Sequence, residues 1–547
     1  MRSCRTVRFR GEMDAFDGRM HPDRLGDETA VRLTQTSDRP SRSWSRSMST
    51  ELSAAGLDRP ATPVISGEDS RRASRHAGPD VAASGTDTES TTLTRAAVGN
   101  GLSLADRKAW ARRFGRLVAA DQARIGRLVL EEIGKPEWET LVAEVMPLVA
   151  SARWHARRGG RLLADRRLPG RPWWMFGQSA RVRRVPLGRV GIIATWNYPI
   201  QLLGIQILQA VMAGNRVVVK PSERSPRSQL RLIELARVAG LPDGVLVTTA
   251  YDREAGAALL ADPDLDHLVF TGSTSVGRRV AMAAAERMLP TTLELSGCDS
   301  AIVLADADPA LAARSIWNAV VFNAGQTCMA PRRVLVHEDV AAAFAAAIVP
   351  LAAGAGLRPM IDLHAADEHR RLVEDAVSKG GRIAAMSLDR QTDLRARPQV
   401  VLDCPVDAEA FAADHFGPLL AVRAWRDESD LLELHRRGGR HLATAVYTRH
   451  EANADRLVPN LGGGLVTIND CLLPSAHPAT SIAPVGESGW GVSRGVEGLL
   501  AMTRPVMVTR TGGLRPPVGE PDARAKRFLE GLVRWWGRGV APPADTD

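Results

Sequence analysis

The sequence lacks the features that mark disulfide-bonded, metal-binding or membrane-spanning proteins. Its five cysteines in 547 residues are scattered, with no CxxC pair and no histidine at ligand spacing. This argues against a disulfide framework and a metal site, and favours a reducing, cytoplasmic location. The first twenty residues are charged and lack the apolar core of a signal peptide. The uncharged stretch 190–215 is interrupted by Trp196-Asn197-Tyr198-Pro199, which favours a buried strand, turn and helix over a membrane span.

Lysine is also scarce, since only five of the 71 basic residues are lysine and the rest are arginine. With 62 acidic residues the net charge is +9. Such an arginine bias beside abundant alanine is typical of a GC-rich genome, and no basic helix interleaved with aromatic residues lies in the centre of the chain. We therefore expect no nucleic-acid partner. The length and the 44% hydrophobic content allow about two to four domains.

The N-terminal segment differs from the rest of the chain. Residues 1–95 are rich in Ser, Thr, Arg, Asp and Gly, and their isolated apolar residues cannot form a core, which predicts a disordered tail. Helical periodicity then runs from about Leu102 to Ile133, and a second helix is expected from about Pro136 towards Arg157.

From Arg184 onwards, short apolar runs alternate with helical segments. This alternation is typical of parallel strands joined by right-handed crossovers, and it predicts two α/β domains in sequence. The predicted strands cover 190–194, 217–219, 245–247, 268–270, 301–304 and 333–337. Residues 513–547 form a separate tail that is polar, then helical, then proline-rich.

Four segments carry recognisable chemistry. They are Pro186–Pro199, Val219–Glu223, Phe270–Gly277, and the pair Leu293–Gly297 with Asn323–Cys328. Together and in this order they resemble the NAD(P)-dependent aldehyde dehydrogenase superfamily, with class 3-like features, over about Leu102–Thr509.

The resemblance implies an α/β fold with a Rossmann-type cofactor domain, an α/β catalytic domain and a small β oligomerisation arm. It places an NAD-binding domain at 96–293, with an arm segment at 162–185, and a catalytic domain at 294–484. Residues 485–512 would return to the cofactor domain and add the oligomerisation strand, before the tail of 513–547. In the family this arm builds dimers or tetramers, so a homodimer or homotetramer is expected.

The resemblance also implies three catalytic residues and no metal. Cys328 matches the nucleophile that attacks the aldehyde, so the site should favour its thiolate through amide dipoles or the nicotinamide cation. Asn197 matches the residue that binds the oxyanion together with the backbone N–H of Cys328. Glu294 matches the base that activates the deacylating water, and its apolar neighbours suit a raised pKa. The product would be a carboxylic acid.

The cofactor is expected to be NAD. A carboxylate at Glu223 would accept hydrogen bonds from the ribose 2′-hydroxyl and repel a 2′-phosphate, although the nearby Arg224 and Arg227 leave NADP open. Gly272 and Ser273 belong to the loop that would meet the pyrophosphate at a helix N-terminus. The cofactor residues implied by the resemblance are Ala194, Trp196, Lys220, Glu223, Gly272, Ser273, Val276, Leu295, Asp414 and Phe416.

Some residues depart from the family pattern and leave the substrate open. Asp414 stands where the family has Glu, Ser296 and Cys298 replace the usual Gly and Lys, and residues 481–485 replace a Pro-Phe-Gly-Gly run. One alternative activity is acyl transfer to coenzyme A or reduction of an acyl donor. The presence of Glu294 argues against this alternative, because some acylating relatives lack that base. Another is an inactive paralogue that serves as a binding or scaffold protein.

The C-terminal tail contains an amphipathic pattern that the resemblance does not cover. A helix would gather its apolar residues on one face, and basic residues at 526–538 lie among them. Such a helix can lie on an anionic lipid surface, which would suit a lipid-derived aldehyde. The alternative is that it docks on its own or a partner subunit. The apolar residues are Phe528, Leu529, Leu532, Val533, Trp535 and Trp536.

Overall fold

The computed structural model describes residues 99–172, 175, 177–384, 394–439, 441–512 and 519–539. The tail predicted at 1–95 lies outside these residues. The first described elements are helices α1 (Leu104–Ala120), α2 (Gln122–Ile133), α3 (Glu137–Thr140) and α4 (Met146–Leu162), with a π-helical turn at Leu141–Val145 between α3 and α4.

The sequence pattern predicted one continuous helix up to Ile133, and this prediction is wrong. The structure divides the segment at Asp121, which ends α1 and precedes α2. The Asp121 carboxylate accepts two hydrogen bonds from the Arg231 guanidinium, at 2.8 and 2.9 Å. Because this partner lies more than a hundred residues away, helical periodicity alone does not reveal the break.

The first sheet is doubly wound. Its order is β17-β7-β6-β3-β4-β5, with only β17 antiparallel to its neighbour. The strands are β3 (Arg189–Ile193), β4 (Arg216–Lys220), β5 (Leu246–Thr248), β6 (His267–Gly272), β7 (Thr291–Leu295) and β17 (Gly489–Trp490). The helices that connect them are α5 (Gln201–Ala213), α6 (Pro226–Val238), α7 (Arg253–Ala261) and α8 (Thr274–Glu286).

The strand order changes direction between β3 and β6, because the chain first builds β4 and β5 on one side of β3 and then returns to its other side. In open α/β sheets, ligands bind at the carboxyl ends of the strands at such a switch point. The predicted strand, turn and helix over 190–215 is confirmed as β3, the turn at Trp196–Pro199 and α5, of which almost every residue is buried.

The second sheet has the order β11-β13-β14-β9-β8-β15-β16 and is parallel except for β11. Its strands are β8 (Ser300–Val303), β9 (Arg333–His337), β11 (Arg382–Ile383), β13 (Gln399–Leu402), β14 (Leu419–Trp425), β15 (Ala443–Tyr447) and β16 (Leu465–Ile468). The helices around it are α9 (Pro309–Val321), α10 (Glu338–Ala353), α11 (Leu363–Ser378), α12 (Glu409–Ala412), α13 (Glu428–Arg436) and α14 (Glu451–Leu457). A separate two-stranded ribbon pairs β10 (Arg358–Pro359) with β12 (Arg395–Ala396).

A small antiparallel sheet forms the arm. Its order is β1 (Arg166–Arg167), β2 (Gln178–Pro186) and β18 (Thr503–Thr511). The last strand pairs with β2 from Thr503↔Pro186 to Thr511↔Gln178. Most of its side chains are exposed or half-buried, so the arm contributes little to the core of its own chain.

Two helices complete the chain. Helix α15 (Gly495–Ala501) packs on α4 and α5, whereas α16 (Ala523–Trp536) contains no buried residue. The described residues therefore do not bury its apolar face, and docking on its own subunit, on a partner subunit or on a lipid surface stays a prediction. Within the described ranges, no helix is both long and apolar enough to cross a membrane.

Candidate active site

A cavity of about 1100 Å³ opens at the carboxyl ends of β3 and β6 and is also lined by residues of the second sheet's domain. It contains all three residues predicted to be catalytic and six of those predicted to bind the cofactor. The predicted residues that line it are Trp196, Asn197, Gly272, Ser273, Glu294, Leu295, Cys328, Asp414 and Phe416. Four others, Ala194, Lys220, Glu223 and Val276, lie outside its wall.

Cys328 lies in a tightly bent loop that follows α9. The backbone has positive φ at Asn323, Ala324 and Gly325, and a Cβ on Gly325 would lie 2.4 Å from the carbonyl oxygen of Gly417. The buried Arg332 holds the loop from behind, because its guanidinium donates to the carbonyls of Gly325 at 2.9 Å and Thr327 at 2.8 Å. The segment that precedes the thiol is therefore fixed by its contacts with Gly417 and Arg332.

The described side-chain charges do not by themselves favour the Cys328 thiolate, and the expected contributions of amide dipoles and of the nicotinamide cation stay predictions. Burial, followed by the charges of Glu294 and Asp299, raises the pKa of Cys328 to about 12. Arg332 and Arg494 oppose this shift without overcoming it. Ionisation of the thiol before nucleophilic attack is therefore assisted by a further positive charge or by a base.

Glu294 lies on β7, and the expected rise of its pKa is confirmed. Burial raises the pKa of its carboxyl to about 7, against an ordinary value of 4.5. One carboxylate oxygen accepts a weak hydrogen bond from the Thr271 hydroxyl at 3.4 Å, and the other is buried without a hydrogen bond. The Gln206 amide donates to the same hydroxyl at 3.1 Å. A carboxyl with this pKa can accept a proton at neutral pH.

Asn197 is buried in the turn after β3, beside the nucleophile loop. Its amide nitrogen donates to the carbonyl of Gln326 at 3.1 Å, and its amide oxygen accepts from the Thr195 hydroxyl at 3.1 Å. An amide nitrogen has two N–H groups, so one donor remains for a substrate oxygen. The backbone N–H of Cys328 makes no hydrogen bond to any described residue.

A buried ion pair that the sequence analysis did not identify supports this turn. Lys135 and Glu144 are 2.5 Å apart, and both side chains are fully buried. The Lys135 ammonium also donates to the Asn197 carbonyl at 2.7 Å, and the Glu144 carboxylate accepts from the Ile200 N–H at 2.7 Å. The scarcity of lysine was the available sequence signal for this ion pair. A chain that uses arginine almost everywhere has a lysine at this buried position.

The predicted cofactor residues lie where the strand order changes direction. Helix α8 begins directly after β6, and Ser273 precedes it without a side-chain cap, so its first N–H groups can meet an anion. A Cβ on Gly277 would lie 2.4 Å from Leu295, so glycine allows α8 to approach β7 closely. The arrangement fits a dinucleotide with its phosphates at the start of α8.

Lys220 and Glu223 lie at the end of β4, next to the cavity. The buried Lys220 ammonium pairs with the half-exposed Glu223 carboxylate at 3.0 Å, and their contact with a ribose stays a prediction. On the other side of the cavity, Asp414 accepts a hydrogen bond from the Ser296 hydroxyl at 2.6 Å. The ring of Phe416 stacks edge-on against Trp196, with centroids 5.8 Å apart.

The other described cysteines do not line the cavity. Cys298, Cys404 and Cys471 are buried and unpaired, and Cys4 lies outside the described residues. In the part of the chain that the structure describes, no cluster of three His, Cys, Asp or Glu side chains could hold a metal ion. One cation of the cavity wall, Arg494, was also missed by the sequence prediction, because it follows a segment that departs from the family pattern.

Comparisons with known proteins agree on one family. The profile of the aldehyde dehydrogenase family matches residues 94–508. The coniferyl aldehyde dehydrogenase of Pseudomonas sp. (strain HR199) is 33% identical over 365 residues, covering 63% of this chain and 75% of that protein. The NADP/NAD-dependent aldehyde dehydrogenase PuuC of Escherichia coli (strain K12) is 32% identical over 384 residues, covering 67% and 76%. Among solved structures, an NAD-dependent aldehyde dehydrogenase from Sinorhizobium meliloti superimposes with a TM-score of 0.71 at 26% identity, covering 76% of this chain and 84% of that chain.

Proposed function

The chain belongs to the aldehyde dehydrogenase family and oxidises aldehydes to carboxylic acids with NAD or NADP, and we propose that Cys328, Glu294 and Asn197 perform this reaction. The observation that supports this assignment is their position. They come from three separate segments of the chain and line the same cavity, which lies where the strand order of the first sheet changes direction.

In the first half-reaction, the Cys328 thiol gives up its proton to water in the cavity. The resulting thiolate sulfur forms a bond to the aldehyde carbon, and the carbonyl oxygen becomes an oxyanion. The Asn197 amide and the Cys328 backbone N–H donate hydrogen bonds to that oxygen, and one such donor is worth about 3–4 kcal/mol of barrier. The nicotinamide, when bound, supplies the hydride acceptor and a positive charge. Departure of the hydride with its electron pair leaves a thioester on Cys328.

In the second half-reaction, Glu294 accepts a proton from water while the water oxygen adds to the thioester carbon. The carbon–sulfur bond then breaks, the sulfur leaves as the thiolate, and the acid is released. A pKa of about 7 leaves a substantial fraction of Glu294 ionised at neutral pH and still basic enough to accept the proton.

The presence of Glu294 beside Cys328 favours water over coenzyme A as the acyl acceptor. The two groups are close enough for the Glu294 charge to raise the pKa of Cys328. A panel of aldehydes assayed by NADH absorbance, with and without coenzyme A, separates the two acceptors. Turnover that requires coenzyme A would contradict the proposal, and a scaffold protein would give no turnover under either condition.

The test of the nucleophile is Cys328→Ala. We expect NADH formation to fall roughly a thousandfold or more, while NAD binding measured by calorimetry is unchanged because the start of α8 is untouched. Cys404→Ala is the matched control, since this cysteine is buried in the core of the second sheet's domain. Turnover at the unmodified rate in Cys328→Ala would overturn the mechanism.

We also propose the domain limits given above, with NAD as the preferred cofactor. The order of the first sheet supports a cofactor domain with an inserted arm, and that sheet extends to Leu295, beyond the limit of 293. The Glu223 carboxylate supports NAD, because it would repel a 2′-phosphate.

The exposed arm strands support a homodimer or homotetramer, and sedimentation as a single chain would contradict this. A cytoplasmic location remains a prediction.

We further propose that α16 contacts an anionic lipid surface. Its apolar residues remain exposed, with Phe528 at 64%, Val533 at 63% and Trp535 at 53%, and basic residues are interleaved with them. Each basic residue near such a surface adds about 1 kcal/mol. Vesicles with anionic lipid should co-sediment the full chain but not a chain ending at Pro521, and neutral vesicles should bind neither. Equal binding of both chains, or of neither, would contradict this contact.

A further inference from the structure

Arg494 has an unusual backbone and a defined place beside the catalytic residues. Strand β17 pairs Gly489 with Glu294, and the chain then forms a two-way backbone bridge between Ser493 and Ile482. Arg494 follows directly with φ 63° and ψ 175°, a conformation that is essentially restricted to glycine. The surrounding contacts therefore hold Arg494 in a strained position at the cavity wall.

The Arg494 guanidinium is open to the cavity rather than sealed in the core. The residue is 7% exposed and lines the cavity with Cys328 and Glu294, yet its side chain makes no hydrogen bond or ion pair with any described residue. The other buried lysines and arginines of the described chain each have at least one side-chain partner, although the Nε of Arg332 has none. Lys135 pairs with Glu144, Lys220 with Glu223, Arg332 donates to two loop carbonyls and Arg333 to the Ser300 hydroxyl.

Glu294 does not serve as a permanent counter-ion for Arg494. It lies outside ion-pair distance, and a carboxyl with a pKa of about 7 carries its charge in only about half of the molecules at neutral pH. A buried cation without an anion is costly, and the usual solutions are a paired charge or a bound ligand. The cavity therefore presents an unsatisfied donor group, with five N–H donors, to its contents.

We propose that Arg494 binds a carboxylate of the substrate, so that this enzyme prefers aldehydes that carry an acid group. A guanidinium matches a carboxylate with two parallel hydrogen bonds. The apolar wall at Trp138, Phe322 and Ile482 would contact the carbon skeleton between the acid and the aldehyde. The oxyanion at the reacting carbon is a separate charge, assigned above to Asn197 and the Cys328 N–H. This inference rests on the proposed function of the same cavity.

The experiment compares each acid with its uncharged ester. The probes are 4-oxobutanoate and 4-formylbenzoate, each assayed beside its methyl ester with NAD, and the measured quantity is the ratio of kcat/KM for acid and ester. A charge-assisted pair predicts a preference for at least one acid of roughly ten- to a hundredfold. The ratio should fall to about one in Arg494→Gln and be partly retained in Arg494→Lys. Any change in the ionisation of Cys328 or Glu294 affects acid and ester alike and cancels in this ratio.

A matched control is Arg314→Gln. Arg314 also lines the cavity, but it is exposed to solvent, so its removal should leave the ratio unchanged. A second measurement is calorimetry of 1,4-benzenedicarboxylate binding to the unmodified protein and to Arg494→Lys. It does not require turnover, and it does not depend on whether the glutamine variant folds. Binding should be detectable and should weaken in the lysine variant.

The outcomes distinguish this inference from the proposed function. Three results would overturn the role of Arg494 and leave the dehydrogenase activity standing. They are equal rates of oxidation for esters and acids, an acid preference that survives Arg494→Gln, and an acid preference that disappears in Arg314→Gln. Absence of NADH formation with every aldehyde would instead contradict the proposed function. In that case dicarboxylate binding lost in the lysine variant would still support the anion site, and binding that is absent or unchanged would refute it.

Discussion

The pKa of Glu294 predicts how the second half-reaction depends on pH. The pKa of this carboxyl is raised above its ordinary value. Its base form is therefore present above the shifted pKa and is lost as the pH falls through that pKa. Burial is the main cause, while the Arg494 charge and the Thr271 hydrogen bond reduce the shift. Release of the acyl group from Cys328 should therefore slow below neutrality, although most glutamates remain ionised there.

The size of the effect follows from the pKa of about 7. The ionised fraction rises from roughly one tenth at pH 6 to roughly nine tenths at pH 8, so deacylation should accelerate roughly tenfold. With the ordinary value of 4.5, the same range would change the fraction by only a few per cent. Removal of the hydrogen bond in Thr271→Val should move the midpoint to higher pH.

The assay isolates deacylation from attack by the thiol. The acyl-enzyme is formed with p-nitrophenyl acetate in the presence of NAD, whose positive charge assists ionisation of Cys328. It is freed of both reagents at low pH and then moved to a series of pH values from 6 to 9. Loss of the acetyl group from the protein is followed by mass spectrometry. Glu294→Gln should retain its acetyl group far longer and lose the rise between pH 6 and 8.

Two results would refute the reasoning. A deacylation rate that is flat from pH 6 to 8 in the unmodified protein would show that the base is not a carboxyl with a raised pKa. An unchanged rate and midpoint in Glu294→Gln would show that another group activates the water. In the second case, Thr271→Val should also have no effect.

Two further predictions concern residues that support the site. Lys135→Met leaves the Glu144 charge buried without its partner, so the free energy of unfolding should fall by about 3–5 kcal/mol. Urea unfolding followed by circular dichroism measures this loss. Lys135→Met combined with Glu144→Gln should recover part of it, because the uncharged amide oxygen can still accept hydrogen bonds from the backbone N–H groups. Absence of any recovery would contradict the ion-pair argument. Glu223→Gln removes the charge that would repel a 2′-phosphate, so the ratio of kcat/KM for NADP and NAD should rise, and an unchanged ratio would exclude Glu223 from cofactor selection.

Some of the organisation of this chain could be predicted because it depends on neighbouring residues. The apolar runs that became β3, β4 and β6 are short, rich in branched residues and followed by helical periodicity, so the alternation of strand and helix is a local property. The spacing of Cys328, Glu294 and Asn197 in a family order is likewise readable along the chain. The expectation of a raised pKa at Glu294 used its two leucine neighbours, whereas the cause of the shift is the burial of the carboxyl in the folded chain.

The remaining features depend on residues that are distant in sequence. The break at Asp121 involves Arg231, the turn at Asn197 involves Lys135, and the pKa of Cys328 is set by burial and by charges from several segments. Arg494 is an ordinary arginine in an arginine-rich sequence, and only the folded chain shows it at the cavity wall with Glu294. Periodicity and motifs report the local backbone and the type of side chain, whereas burial and Coulomb interactions depend on distances in space, which only the packing of the two domains determines.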